Sequence, residues 1–145
     1  MNRHITLFFL LFAIVPSVVT RAAGPYVPTD AERARWTMHD MRSWQIALGA
    51  YKLDHGSFPD AKTLEQARDA VQPVYIAHAP MHDAWGNAYR YESDAKDGFR
   101  IVSAGADGKF QPETWSTGGR TASWADDAVI TGSGRWLFRM WDLTK

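Results

Sequence analysis

Apolar residues recur at every third or fourth position between residues 41 and 51, and polar residues such as Arg42, Gln45 and Lys52 are left mostly on the other sides. The apolar positions are Met41, Trp44, Leu48 and Tyr51, with Ala47 beside them. In an α-helix this spacing places all of them on one face. The pattern therefore predicts an amphipathic helix that buries this stripe.

Capping signals predict where the helix begins and ends. Thr29 and Glu32 have the spacing of a capping box, in which each side chain accepts a hydrogen bond from the other residue's backbone N–H. Gly56 can take the left-handed conformation that ends a helix, and Pro59 prevents the helix from resuming directly. The predicted helix covers residues 30 to about 55.

Two further patterns complete the predicted fold. A weaker helix is predicted over residues 61–71, where Leu64, Ala67 and Val71 share a face. The pattern then changes to the period of two that is typical of strands with one buried face. Strands are predicted over residues 89–92, 99–103, 128–131 and 135–141. The predicted fold is α+β, a long N-terminal helix packed on a small antiparallel sheet.

The N-terminal 22 residues have the organisation of a secretory signal peptide. A basic start precedes an unbroken apolar run, and small residues lead up to Ala22. We predict cleavage after Ala22, which leaves an exported or periplasmic single domain over residues 23–145. The alternative is an inner-membrane anchor through residues 5–19, which are short against the roughly 20 residues that span a bilayer.

Composition sets limits on the class of protein. The chain has 145 residues, 46 % of them hydrophobic, which suits one domain with a real core. The formal net charge is +0, so no basic surface indicates nucleic acid as a partner. The chain has no cysteine, which excludes disulfides and thiolate metal sites.

The segment HDAWGNAYRY, residues 82–91, concentrates side chains that could serve either chemistry or structure. Asp83 precedes a Gly-Asn turn and is well placed to accept backbone N–H groups. Trp85 and Tyr89 can bury large rings against the helix while their polar ends find partners. The chain has no G-x-S-x-G motif, no phosphate-binding loop and no cysteine nucleophile. We therefore predict that the segment is structural, that there are no catalytic residues, and that the protein is not an enzyme.

Histidines offer one alternative to that interpretation. His78 and His82 are four residues apart and Asp83 follows them, which is a spacing that a helix could use to bind a metal in a hydrolase. Pro80 lies between the two histidines and argues against a helix there.

Three segments in the same order resemble the major pseudopilin family (GspG) of type II secretion. They are DMRSWQIALGAYKLDHGSFPDAKTL (40–64), PMHDAWGNAYRY (80–91) and GFRIVSAGADGK (98–109). The motif residues that the resemblance marks as structural are Tyr51, Gly56, Pro59, Asp83, Trp85, Gly86, Asn87 and Tyr89. The resemblance implies a pilin-like globular domain with a non-enzymatic structural or interaction role. It also implies that the partners are pseudopilins or other components of a secretion or pilus-like assembly.

The sequence departs from the family pattern in two places. The N-terminal segment lacks the Gly-Phe-Thr-Leu-Ile-Glu leader by which pseudopilins are processed, so contact with a membrane is expected only if that segment is not cleaved. Ala84 and Ala88 stand where the family has two prolines, which predicts a less rigid turn.

The resemblance also raises the question of calcium, because the family's late loop holds a calcium ion. In this chain Asp126 and Asp127 are followed by Val129, where the family has a second acid. Calcium takes six to eight oxygen ligands, and Asp107, Asp126 and Asp127 are the candidates, supported by backbone carbonyls and water. The alternative is that these aspartates form turns in a loop that carries an insertion at residues 113–123.

A different functional hypothesis starts from tryptophan. The chain has seven tryptophans, and two of them, Trp115 and Trp124, lie in a loop rich in Gly, Ser and Thr. Exposed rings in such a loop would suit an exported module that binds sugars or peptides. If both rings are instead buried against the sheet, this hypothesis loses its basis.

Overall fold

The computed structural model describes residues 24–94, 98–112, 115 and 123–138. The helices are α1 (Asp30–His55) and α2 (Leu64–Val71), with a short 3₁₀ helix at Gly105–Asp107. The strands are β1 (Arg90–Asp94), β2 (Gly98–Ser103), β3 (Ala128–Thr131) and β4 (Trp136–Phe138). The prediction of an α+β fold with a long helix on a small antiparallel sheet is confirmed. The N-terminal 22 residues, and residues 139–141 of the last predicted strand, lie outside the described residues.

Helix α1 begins and ends where its capping signals predict. The backbone N–H of Glu32 donates to Thr29 Oγ1 at 3.3 Å, and the backbone N–H of Thr29 donates to Glu32 Oε2 at 2.8 Å. At the other end Gly56 has a φ of 80° and donates its N–H to the carbonyl of Lys52 at 2.8 Å. Both ends of the helix are therefore satisfied by local hydrogen bonds.

Helix α2 starts three residues later than predicted. Thr63 is its N-cap residue, with extended backbone, and its hydroxyl accepts a hydrogen bond from the N–H of Gln66 at 3.3 Å. Ala61 and Lys62 therefore precede the helix, although Ala61 is buried. The predicted apolar face of α2, Leu64, Ala67 and Val71, is buried as expected.

The sheet has the strand order β1-β2-β3-β4, and every neighbouring pair is antiparallel. Tyr91 pairs with Ile101, Ile101 pairs with Ile130, and Ile130 pairs with Trp136. Side chains of directly paired residues lie on the same face of a sheet. These four residues therefore form one row across the sheet, and all of them pack in the main core with α1.

The main core lies between the apolar stripe of α1 and this face of the sheet. Met41, Trp44 and Leu48 are fully buried, as their spacing predicts, while Tyr51 at the end of the stripe is only half-buried. Trp44 also donates its indole N–H to the carbonyl of Pro80 at 2.6 Å. The connection that follows α2 is thereby attached to the centre of α1.

The opposite face of the sheet carries a second, smaller core. Val102 and Val129 are directly paired and fully buried, and Trp115 and Phe110 pack on them. The expectation of a single buried face holds for β1, where Tyr91 is buried between Arg90 and Glu92. Strands β2 and β3 differ from it, because Phe110 and Trp115 cover Val102 and Val129 on the second face.

No helix within the described ranges combines the length and the apolar character that crossing a bilayer requires.

Candidate functional site

The segment 82–88 forms a tight turn that leads into β1. His82 and Ala88 form an isolated antiparallel bridge, and the N–H of Asp83 donates to the carbonyl of Asn87 at 2.8 Å. Gly86 has a φ of 94°, a left-handed conformation that suits glycine. This geometry places the Asp83 side chain inside the turn.

The carboxylate of Asp83 is buried and accepts four hydrogen bonds. One oxygen accepts from the backbone N–H groups of Trp85 at 3.0 Å and Asn87 at 2.9 Å. The other accepts from the Asn87 side-chain amide at 3.3 Å and from the Ser103 hydroxyl at 2.7 Å. The carboxylate therefore stabilises the turn and joins it to β2.

The turn is also attached to α1 by hydrogen bonds over long sequence distances. The Trp85 indole donates to Asp30 Oδ1 at 2.9 Å, and the Tyr89 hydroxyl donates to the carbonyl of Thr37 at 3.2 Å. The N–H of Ala84 donates to Thr37 Oγ1 at 3.0 Å. A proline at position 84 would have no N–H to donate, so this contact depends on the alanine that replaces the family's proline. Thr37 is a residue that the sequence patterns did not single out.

Tyr89 is held neutral by its surroundings. Burial raises the pKa of its hydroxyl well above the ordinary value near 10, and the negative charges of Asp40 and Asp83 raise the pKa further. Tyr89 is therefore a neutral hydrogen-bond donor in the core.

The remaining motif residues lie at the end of α1. Tyr51 stacks on His55 with ring centroids 4.1 Å apart, and Tyr75 meets Tyr51 edge-on at 5.8 Å. The Tyr75 hydroxyl donates to Asp54 Oδ2 at 2.9 Å, which ties the chain after α2 to the end of α1. The carbonyl of Pro59 accepts a hydrogen bond from the N–H of Ala61 at 2.8 Å.

The two histidines of the metal-hydrolase alternative do not share a helix. His78 and His82 are both exposed and lie in an irregular segment, and the carboxylate of Asp83 beside them has the partners given above. Across the described part of the chain, no three His, Asp or Glu side chains are grouped so that they could hold a metal ion.

Two of the calcium candidates have exposed or partly exposed carboxylates that form local turns. Asp107 is exposed, and its Oδ1 accepts a hydrogen bond from the N–H of Lys109 at 2.9 Å. Asp126 is half-buried and accepts from the backbone N–H of Ser123 at 3.0 Å and from its hydroxyl at 3.2 Å.

The third candidate, Asp127, is buried on the second face of the sheet. Its Oδ2 accepts hydrogen bonds from the N–H of Gln111, at 2.7 Å, and from the indole N–H of Trp115. Asp127 is next to Asp126 in sequence, but the two carboxylates bind different segments of the chain.

Backbone carbonyls in this region converge on Gly105. A Cβ at Gly105 would lie 2.6 Å from the carbonyl oxygen of Asp126, 2.7 Å from that of Trp124 and 3.0 Å from that of Ala125. Carbonyl oxygens are ligands that calcium takes, but the three carboxylates do not surround this point as one set. Calcium binding therefore stays a prediction.

Of the two loop tryptophans, Trp115 is not available as a surface for stacking. Only 2 % of it is exposed, and its ring packs edge-on against Phe110 at 6.0 Å and lies under the Arg90 guanidinium at 5.1 Å. Trp124 is half-buried against the main core. The ligand-binding hypothesis required exposed rings, and one of its two rings is buried while the other is half-buried.

An exposed apolar surface occurs instead on the outward face of α1, a feature that the sequence patterns did not identify. Ile46 is 60 % exposed and Leu53 is 86 % exposed. Seven residues correspond to about two helical turns, so both side chains lie on the same outward face. We call Ile46 and Leu53 the outer stripe. The signal that could have revealed it is that both residues are apolar but fall outside the spacing of Met41, Trp44, Leu48 and Tyr51.

Comparison with known proteins identifies one family. The family model described as "Type II secretion system (T2SS), protein G" matches residues 27–117, which include α1, α2, β1 and β2. A search among curated proteins gives no match. The matched region covers more than half of the chain and contains all three segments on which the resemblance was based, so that resemblance is confirmed. The chain belongs to the type II secretion system protein G family.

Proposed function

We propose that this protein is a non-enzymatic, pseudopilin-like structural and interaction protein that binds other components of type II secretion or a related pilus-like assembly. Membership of the protein G family supports the general role. The observation that carries the proposal is the outer stripe of α1, Ile46 and Leu53, because apolar side chains this exposed are suited to contact with another protein.

The helix around the outer stripe favours close contact with a partner. Gly49 lies between Ile46 and Leu53, and a Cβ on it would meet nothing within 4 Å. A partner helix can therefore approach the backbone of α1 between the two larger side chains. Burial of each aliphatic side chain would stabilise a complex by about 1.5–3 kcal/mol before the losses of association.

The proposal also places the protein on the periplasmic side of the inner membrane. Export through the N-terminal segment, with cleavage after Ala22, would release the domain, whereas an uncleaved segment would keep it attached through residues 5–19. Intact mass of the protein recovered from the periplasmic fraction distinguishes the two. A mass that corresponds to residues 23–145 supports cleavage, and a full-length chain found only in the membrane fraction contradicts it.

The interaction is tested with the other pseudopilins of the same organism in a pull-down from purified components. Ile46→Asp and Leu53→Asp each place a charge in the outer stripe and are expected to weaken capture at least tenfold. Val74→Asp is the matched control, because Val74 is also strongly exposed and lies just after α2. Equal capture of all three variants and the unchanged chain would contradict the proposed surface.

A further inference from the structure

The segment that leads into α1 contains two prolines three residues apart. It reads Gly-Pro-Tyr-Val-Pro-Thr, residues 24–29, and we call it the entry arm. Proline fixes φ at about −65°, and the residue before a proline prefers extended backbone. Thr29, the last residue of the arm, has φ −72° and ψ 161°. These angles are close to the polyproline II values of about −75° and +145°, so the arm is suited to a polyproline II helix.

One side of the entry arm is held by the first turn of α1. A polyproline II helix has three residues per turn, so Tyr26 and Thr29 share a side. Thr29 Oγ1 donates to Glu32 Oε2 at 2.8 Å, and the Tyr26 hydroxyl hydrogen-bonds with the same carboxylate. The two contacts therefore fit the three-residue period and hold the arm against the helix.

The other two sides of the entry arm face away from Glu32. Pro25 and Pro28 share one of these sides, and Val27 lies on the other. Val27 is 72 % exposed, Pro25 is exposed and Pro28 is half-buried. Residues 24–28 make no backbone hydrogen bond to any other described residue. The arm therefore presents an apolar ridge, together with carbonyl groups that can accept hydrogen bonds from a partner.

An aromatic-lined groove complements such a ridge. Segments with the pattern P-x-x-P, which residues 25–28 have, dock in grooves of this kind. Their polyproline II helix is largely formed before binding, so little conformational freedom is lost when the complex forms. Tyr and Trp side chains in a groove also carry O–H and N–H groups that can donate to the carbonyls of the ligand.

We propose that the entry arm is a docking segment for a partner protein with an aromatic-lined groove. Pro25, Val27 and Pro28 enter the groove, while Tyr26 and Thr29 keep the arm on α1. The arm shares no residue with the outer stripe, so the inference does not depend on the function proposed above.

NMR titration of the isotope-labelled full chain in detergent micelles tests the proposal. The probe is a purified SH3 domain, whose groove for P-x-x-P segments is lined by aromatic side chains. We expect saturable shifts of the Tyr26, Val27 and Thr29 amide signals. Val27→Ala removes apolar contact area and is expected to weaken binding about fivefold to tenfold. Val74→Ala is the matched control, because Val74 is 78 % exposed and the chemical change is identical.

The prolines test whether the arm is preformed. The double variant Pro25→Ala/Pro28→Ala is expected to lose at least tenfold in affinity for the SH3 domain, because the ridge is removed and the arm is less ordered before binding. Both positions precede α1, so the variant should keep the Tm of the unchanged chain. An equal Tm shows that the loss of affinity does not come from unfolding.

Photo-cross-linking in cells identifies the native contact. Val27 is replaced by p-benzoylphenylalanine, and the cross-linked species is analysed by mass spectrometry. A captured protein supports the proposal if, once purified, it binds the unchanged chain at least tenfold more tightly than Pro25→Ala/Pro28→Ala. Cross-links to lipid alone would assign the exposed arm to a membrane surface and overturn the proposal.

Three results of the titration would also overturn it. They are the absence of saturable shifts in the arm, equal affinities of Val27→Ala and Val74→Ala, and full affinity of the double proline variant. The titration contains no pseudopilin, and Ile46→Asp is expected to leave SH3 binding unchanged. Its outcome is therefore separate from that of the outer-stripe experiment.

Discussion

The hydroxyl of Ser103, the last residue of β2, donates a 2.7 Å hydrogen bond to the buried carboxylate of Asp83 in the turn before β1. The Asp83 side chain thereby joins the turn to the sheet. The same carboxylate organises the backbone of Trp85 and Asn87, so the local turn and the long-range contact depend on one residue.

Asp83→Asn is expected to lower the free energy of unfolding by about 2–4 kcal/mol. The amide keeps the shape of the side chain, but it loses the charge and presents N–H donors to groups that are themselves donors. Urea unfolding followed by tryptophan fluorescence measures the change. Asp69→Asn is the control, because Asp69 forms an exposed 2.8 Å pair with Arg68 and should change stability by less than about 1 kcal/mol. Similar losses in both variants would contradict the special role of Asp83.

Two glycine-to-alanine substitutions are expected to have opposite signs. Gly105 has a φ of 65°, and a Cβ there would lie 2.6–3.0 Å from three backbone carbonyls, so Gly105→Ala should destabilise the chain by about 2–4 kcal/mol. Gly49 lies inside α1 with no heavy atom within 4 Å of a Cβ, so Gly49→Ala should stabilise it by about 0.5–1 kcal/mol. Thermal melts of the two variants check the signs, and a destabilised Gly49→Ala would contradict the helix geometry.

Trp115→Phe tests the second core. The substitution keeps an aromatic ring but removes the indole N–H that binds the buried Asp127 carboxylate, so a loss of about 1–3 kcal/mol is expected. Trp36→Phe is the control on α1, where the ring is exposed, and it should be nearly neutral. Acrylamide quenching adds an independent test, since loss of Trp115 should remove fluorescence that is protected from the quencher. Removal of only accessible fluorescence would contradict the burial of Trp115.

The raised pKa of Tyr89 predicts that the free energy of unfolding falls at alkaline pH. Its pKa is near 10 in the unfolded chain and higher in the folded chain, because the hydroxyl is buried. The unfolded state therefore loses this proton first, and the contribution of the neutral phenol, complete below pH 10, is lost as pH rises toward the folded pKa.

Tyr89→Phe is expected to reduce the fall in stability above pH 10 by up to about 1.4 kcal/mol per pH unit. At neutral pH the variant should be about 1 kcal/mol less stable, because the hydrogen bond to the Thr37 carbonyl is lost. Tyr75 and Tyr91 also have raised pKa values, so part of the slope remains. Urea unfolding between pH 8 and pH 11 gives both quantities. An unchanged slope would contradict the assignment to Tyr89.

Calcium binding predicts a rise of several degrees in Tm when excess calcium replaces chelator, since a ligand held only by the folded state stabilises it by mass action. Asp107→Asn should reduce this shift. Asp107 is exposed, so its loss should leave the calcium-free Tm almost unchanged. Asp69→Asn on α2 should keep the full shift. Identical Tm values with calcium and with chelator would contradict the prediction.

The parts of the fold that the sequence predicts well are governed by local signals. The capping box of Thr29 and Glu32 and the left-handed Gly56 act within three or four residues, so the bounds of α1 can be read from a short window. The start of α2 was misplaced because the polar Thr63 takes the N-cap position, which the apolar spacing does not reveal.

The features that the sequence did not predict depend on long-range contacts. Ala84 and Thr37 are 47 residues apart, and no periodic pattern links them. Trp115 comes from a loop rich in Gly and Ser, and that composition suggests an exposed ring. The ring is instead buried, because it packs on the apolar surface that Val102 and Val129 form. For the candidate site, the sequence identified Asp83 and its turn but missed the outer stripe. The position of that stripe depends on which side of α1 the sheet occupies.

Phe110 and Trp115 pack on the second face of the sheet, and α1 packs on the first. Both faces of β2 and β3 are therefore covered where these residues lie. Among the described residues, the outward face of α1 stays accessible to another protein, with Ile46 and Leu53 exposed on it. Sequence changes that alter partner choice are therefore expected to accumulate on that face, whereas changes at Val102 or Val129 would act through folding.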